Sequence, residues 1–314
     1  MNSDPPQRRA VIDVGTNSVK LLVADVAGSV ITPVSEESNQ TRLGAGFYST
    51  QRLQHAAIAK TAGAGAKYSA RAAQLGASSV RVIGTSAARD ALNSAELAGA
   101  IRRESGLDIQ ILTGDQEAEW VFRGVTSDPK LAQSPLLILD VGGGSTEFIV
   151  GENSVPLFCG SYPLGTVRLL EQLQPADPPG LDALARCRAI LRDFLDQKVA
   201  PALQPPLRQC SRQPLLVGTS GTAAILARME AKALDFDRRQ IEATSLPLGR
   251  ISAMLQDQWQ LPLAARRHIP GLPPDRADVI TTGMAIYEAI MLRFGFAELQ
   301  ISTRGLRYWA LLQR

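Results

Sequence analysis

Two short stretches carry most of the residues that could do chemistry. DVGTNS (13–18) and DVGGGSTE (140–147) each place an acid ahead of glycines and hydroxyls, between apolar runs that read as buried strands. Glycine lets the backbone bring its N–H groups close to a ligand. Consecutive N–H donors in a turn form an anion-binding concavity, to which Ser and Thr hydroxyls add donors. The candidate phosphate contacts are Gly15, Thr16, Asn17 and Ser18 in the first turn, and Gly142, Gly143, Gly144, Ser145 and Thr146 in the second. The leading acid would repel a bare phosphate, and it makes sense if a divalent cation lies between them. Asp13 and Asp140 are therefore candidate metal ligands, for Mg2+ with Mn2+ as the alternative. A third turn, VGTSGT (217–222), follows a strand and opens a helix, a place that suits an anion; it adds Gly218, Thr219, Ser220 and Gly221.

Taken singly, each turn could as well be a tight hairpin whose glycines serve geometry alone. The second copy argues otherwise. IDVGTNSVKLLV (12–23) set beneath LDVGGGSTEFIV (139–150) aligns Asp13 with Asp140, Gly15 with Gly142 and Ser18 with Ser145, at an offset of 127 residues. That offset is about one domain long, so the chain reads as two related α/β halves.

The elements that must position these turns follow from the pattern. Val11–Val26 predicts strand, polar turn and strand; residues 51–75 predict an Ala-rich helix interrupted by Gly63 and Gly65. SSVRVIGTSAARD and IQILTGDQEAEW each predict strand, turn and helix, placing Arg89 and Glu117 in the helices. By itself Glu117 is an acid at a helix N-terminus, where the dipole favours it, and Arg89 is a surface helix residue. Residues 182–200 predict an amphipathic helix, with the Pro-rich segments 174–180 and 201–206 as loops around it.

Composition narrows the class. A chain of 314 residues exceeds the usual single core. Net charge is +3, only six of 33 basic residues are lysines, and aromatics make up 5%, with no aromatic-interleaved basic patch, so nucleic acid is not an expected partner. No apolar run is long enough to cross a bilayer, and the N-terminus MNSDPPQRR is polar, so the expectation is a cytoplasmic protein without a signal peptide. Cys159, Cys187 and Cys210 are isolated, against a disulfide framework or structural zinc.

The chain resembles the actin/Hsp70/sugar-kinase fold group and, more closely, the exopolyphosphatase/guanosine pentaphosphate phosphohydrolase family. Nine stations carry the resemblance in order: VIDVGTNSVKLLV, TRLGAGF, VIGTSAARDALN, ILTGDQEAEWVFRGV, LILDVGGGSTEFIVG, SYPLGTVRL, VGTSGTAAILA, RADVITTG and STRGLR. It implies two actin-like (ribonuclease H-like) α/β domains with an interdomain phosphate-binding cleft. The expected domains are 1–122 with about 297–314, and 123–296. It also implies Mg-dependent hydrolysis of a terminal phosphoanhydride, in polyphosphate or guanosine pentaphosphate. In that resemblance Glu117 is the catalytic base and Arg89 neutralises the scissile phosphate, while Asp140 and Glu147 manage water and metal. Gln116 stands where many relatives carry a second glutamate. With only His55 and His268, a histidine/aspartate-rich module of longer members is not expected. The competing readings are a kinase of the same fold and a non-catalytic sensor of polyphosphate or alarmone. The oligomeric state is left open, a homodimer among the options.

Overall fold

The computed structural model describes residues 5–313; residues 1–4, on which the reading of a polar N-terminus partly rests, lie outside them. Contacts divide the chain into two compact units: residues 1–127 with 305–314, and residues 128–304. The crossings fall later than the sequence suggested, for two physical reasons. The helix Gly114–Val125 stays whole within the first unit. The strand Glu298–Ile301, expected with the first domain, pairs in the second unit's sheet.

In the first unit, β1 (Gln7–Val14), β2 (Val19–Ala27), β3 (Val30–Asn39), β4 (Ser79–Gly84) and β5 (Ile109–Ile111) form one sheet in the order β3-β2-β1-β4-β5. The β1–β2–β3 meander is antiparallel, and β1, β4 and β5 are parallel. The second unit repeats this plan with β6 (Leu136–Val141), β7 (Thr146–Glu152), β8 (Val155–Tyr162), β9 (Leu215–Thr219), β10 (Ser245–Pro247) and β11 (Glu298–Ile301). Its order, β10-β11-β9-β6-β7-β8, contains the same meander and the same three parallel strands, with β10 added at one edge. The register repeats too: Val14 faces Val19 and Asp13 faces Lys20, as Val141 faces Thr146 and Asp140 faces Glu147. The 127-residue repeat is thus a repeat of structure.

Each unit has its own core. Ile12, Leu21, Val23, Leu43 and Ile101 lie in the first, and Leu139, Phe148, Cys187, Trp259 and Tyr287 in the second. The Ala-rich segment forms the helix His55–Gln74, burying Ile58, Thr61, Ala62, Gly65, Tyr68 and Ala72 at helical spacing. One loop assignment is corrected. Residues 201–206 lie in the helix Ala200–Gln209, which continues Leu181–Phe194 through a π-turn at Leu195–Val199. Pro201 opens Ala200–Gln209 directly after that π-turn, and Pro205 and Pro206 lie inside the helix. The wider π-turn just before it relieves the regular bonding that a proline interrupts.

Candidate functional site

At the first unit's sheet, three adjacent parallel strands deliver the chemistry at their carboxyl ends. The DVGTNS turn leaves β1, the Thr85–Arg89 segment leaves β4, and the Glu117 helix follows β5. Backbone bonds stitch these ends together, from Thr85 N to Val14 O (3.3 Å) and from Leu112 N to Gly84 O (2.9 Å). Ligands of open α/β sheets gather at such carboxyl ends.

Glu117 is held firmly. Thr113 caps its helix, accepting from Gln116 N (3.2 Å), while Gln116 Oε1 accepts from Thr113 N (3.0 Å). In this capping box the Gln116 amide closes the helix start, one residue before Glu117, a role that a glutamate there would fill as well. The Glu117 carboxylate is 7% exposed and accepts from Arg89 Nη1 at 2.8 Å. Arg89 also donates through Nη1 to Leu112 O (3.3 Å) and through Nε to Asp90 (3.3 Å). The two residues assigned to catalysis therefore form one ion pair.

The two glycine turns have matching geometry. Gly15 N donates to Ser18 O and Gly142 N to Ser145 O, each at 3.0 Å. These two N–H groups close the turns, so Gly15 and Gly142 shape the loops and do not offer their amides to phosphate, a correction to the expected contacts. In the second turn the carbonyls of Gly142, Gly143 and Gly144 accept from Thr166 N (2.9 Å), Val167 N (2.9 Å) and Arg168 Nε (2.9 Å) respectively. The turn's peptides are trans, since the one cis bond among the described residues is Asp177–Pro178. A trans peptide sets its N–H opposite its C=O. With three successive carbonyls turned to the 166–168 segment, the N–H groups of Gly143, Gly144 and Ser145 face the other way together, which is the geometry of an anion nest. In the first turn the Thr16 and Asn17 carbonyls accept from Gly44 N (2.8 Å) and Arg42 N (3.0 Å), which directs the Asn17 and Ser18 amides likewise. Asp13 Oδ1, Thr16 Oγ1 and Asn17 Nδ2 are buried there with no partner. Unpartnered buried polar atoms call for a ligand or water.

Other expected contacts are redirected. The Thr146 hydroxyl is fully buried and donates to Leu164 O, and the Thr219 hydroxyl donates to Arg304 O (3.0 Å). Neither hydroxyl proton is presented to a phosphate. Gly218 is packed under Tyr287 and Ala223, where a Cβ would stand 3.0 Å from the tyrosine oxygen. Its role is packing. Ser220 and Gly221 open the helix Ser220–Ala231, whose Thr222 hydroxyl holds Val141 O at 2.7 Å.

The acids divide between the units. Asp140, Glu147 and Ser161 form one cross-strand row over β6, β7 and β8, and Ser161 Oγ donates to Glu147 Oε1 at 2.7 Å. Directly opposed side chains have Cβ atoms about 4.5–5.5 Å apart, so two carboxylates stand side by side. Such a pair suits a hard cation that completes its shell with water and phosphate oxygens. In the first unit the position opposite Asp13 is Lys20, a cation in place of the acid. Asp13 therefore lacks the acid neighbour that makes the second pair fit a metal. Among the described residues no three His, Cys, Asp or Glu side chains gather as a metal cluster, and no helix is long and apolar enough to cross a membrane. Sequence reasoning missed Ser161 and Arg168 as supports, although both lie in the SYPLGTVRL station.

A duplicated sheet with an acid-led turn after the first parallel strand of each copy defines an actin-like α/β protein. The profile of the Ppx/GppA phosphatase family matches residues 22–312, and the chain belongs to that family. It is 33% identical over 294 residues to exopolyphosphatase 2 of Mycobacterium tuberculosis, covering 90% of this chain and 89% of that protein. Among solved structures, an exopolyphosphatase from Cytophaga hutchinsonii is 26% identical with a TM-score of 0.86, over 97% of this chain and 96% of that one. The Aquifex aeolicus member of the Ppx/GppA family is 27% identical with a TM-score of 0.78, over 98% and 97%.

Proposed function

We propose that this chain is an exopolyphosphatase that releases terminal orthophosphate from inorganic polyphosphate, with guanosine pentaphosphate as a second substrate sharing the same terminal linkage. The observation that carries the reading is the Arg89–Glu117 pair, fixed at the carboxyl ends of β4 and β5 beside a phosphate-type turn. The mycobacterial relative named exopolyphosphatase 2 supports the substrate class.

In the proposed reaction a water oxygen attacks the terminal phosphorus as the bridging P–O bond breaks. The bridging electron pair leaves on the shortened chain. Glu117 accepts the water proton, and that proton later returns to solvent or product. Phosphoryl transfer of this kind depends mainly on positioning and charge stabilisation. Arg89 supplies a guanidinium to the phosphate oxygens, which requires it to share or leave Glu117 when substrate binds. The Asn17 and Ser18 amides of the first unit, and separately the Gly143, Gly144 and Ser145 amides of the second, are donors for phosphate oxygens. Asp140 and Glu147 would hold Mg2+, which when bound neutralises charge on the phosphate oxygens.

The test is phosphate release by purified protein from polyphosphate and from guanosine pentaphosphate, with Mg2+ present. Glu117→Gln should lower kcat by about 100- to 10,000-fold, the usual worth of a positioned base, while substrate still binds. Release from neither substrate by the unaltered protein would sink the reading. Transfer of the phosphate from ATP to an acceptor would replace it with a kinase, and binding without turnover would leave a sensor.

A further inference from the structure

The second turn presents its amides only because something holds its carbonyls back. Gly142 and Gly143 are held by main-chain N–H groups of the segment that begins the helix Thr166–Leu173, Gly143 by both Val167 N (2.9 Å) and Arg168 N (3.1 Å). Gly144 is held differently: its carbonyl accepts from a side chain, Arg168 Nε, at 2.9 Å. In the first turn the corresponding carbonyl, that of Asn17, accepts from a backbone amide, Arg42 N, at 3.0 Å. The two copies thus solve one problem in two ways. A backbone N–H is fixed wherever the chain runs, whereas a guanidinium adds positive charge and can be removed without breaking the main chain. The Gly144 carbonyl belongs to the same peptide as the Ser145 N–H, so whatever orients one orients the other. Gly165 seats this segment closely, since a Cβ there would stand 2.4 Å from Gly143 O.

We propose that Arg168 is a positioning residue for catalysis: by clamping the Gly144 carbonyl it aims the Ser145 N–H, and with it the Gly143–Ser145 nest, at the phosphate being cleaved. The inference rests on the exopolyphosphatase reading for its substrate. The role lies in the direction of a donor, so it concerns the charge that develops on phosphate oxygens in the transition state. Donors already oriented before reaction stabilise such charge at no reorganisation cost, and one misdirected donor costs about 100- to 1,000-fold in kcat. Because Arg168 acts through Ser145, its loss should cost less than that, about 10- to 100-fold.

The experiment compares Arg168→Met, Arg168→Gln and Arg168→Lys with the unaltered protein, in three readouts. Steady-state release from tripolyphosphate and from long polyphosphate gives kcat and KM, thermal melting gives stability, and calorimetry gives tripolyphosphate binding. Arg168→Met should lose about 10- to 100-fold in kcat for both substrates, with KM changed less than kcat and the melting temperature held within a few degrees. Arg168→Gln, which keeps a donor for the carbonyl, should recover part of kcat; Arg168→Lys should recover part also if its ammonium reaches Gly144. A purely structural brace predicts lower melting temperature and unchanged kcat per folded molecule, and that outcome overturns the proposal. A rise in KM confined to long polyphosphate would also overturn it, marking Arg168 as a direct chain contact. If the unaltered protein releases no phosphate from either substrate, the exopolyphosphatase reading fails and the catalytic role of Arg168 falls with it. An active protein whose Arg168→Met variant keeps its kcat overturns the clamp alone.

Discussion

At the residue scale, what distinguishes the two turns is the partner each acid faces. Asp13 has Lys20 across the hairpin, whereas Asp140 has Glu147. Two adjacent carboxylates repel, and Glu147 is only 1% exposed, so its charge needs support. Ser161 gives part of it through the 2.7 Å hydrogen bond to Oε1. Groups that orient a ligating carboxylate typically contribute 10- to 100-fold to metal affinity, by rule of thumb about that much. Ser161→Ala should therefore raise the Mg2+ concentration for half-maximal phosphate release by about 10-fold. It should weaken Mn2+ binding followed by electron paramagnetic resonance in parallel. An unchanged Mn2+ affinity would show that Glu147 is no ligand or that Ser161 does not orient it. The acids themselves were legible in the sequence as unlikely interruptions between apolar runs. Their support was not, because a serine fourteen residues away becomes a neighbour only through the β7–β8 register.

At the element scale, the strands that carry the turns were readable and those that back them were not. β1, β2, β6 and β7 contain long buried apolar runs. β3 and β8 are edge strands whose residues are mostly half-exposed: β3 carries the polar stretch SEESN, and in β8 the short apolar run VPLFC is broken off by Gly160 and Ser161. The same holds for the backing segments, whose function lies in main-chain bonds that any side chain could precede. Glycine marks them. An alanine at 165 would drive its Cβ to 2.4–2.5 Å from the backbone of Gly143 and Gly144, and backbone cannot step aside as a flexible side chain can. Gly165→Ala should cost about 1–3 kcal/mol in urea denaturation, the usual range for overpacking, and lower phosphate release beyond what that instability explains. Gly63→Ala supplies the opposite sign: Gly63 lies within the helix His55–Gln74 with open space where a Cβ would go. It should stabilise by about 0.4–1 kcal/mol and leave activity alone. Equal effects at the two glycines would refute the steric account.

For the whole molecule, duplication has given each unit its own sheet and its own core, so stability can be probed unit by unit. Cys187 is a natural reporter for the second. It is fully buried in that core on the helix Leu181–Phe194, and burial pushes its thiol up to about 12, with Glu288 adding to the rise and Arg188 opposing it. The sign of the linkage follows. Below about pH 8.5 the thiol is protonated in folded and unfolded chains alike, and it contributes its full share. As pH rises further the unfolded chain loses this proton and the folded one keeps it, so stability falls, by up to about 1.4 kcal/mol per pH unit, until the folded thiol ionises as well. Tyrosines and lysines titrate in the same range, so the test is a difference in slope and not a single value. Urea denaturation between pH 8 and 10.5, followed by alkylation of Cys187 with Cys159 and Cys210 replaced by serine, should show stability falling more steeply than in a chain that also carries Cys187→Ala. The alanine variant, followed by circular dichroism, will be less stable throughout because of the cavity it leaves, yet its pH slope should be flatter. Parallel slopes would mean that Cys187 meets solvent before its unit unfolds, and that the second core opens locally around the helix Leu181–Phe194.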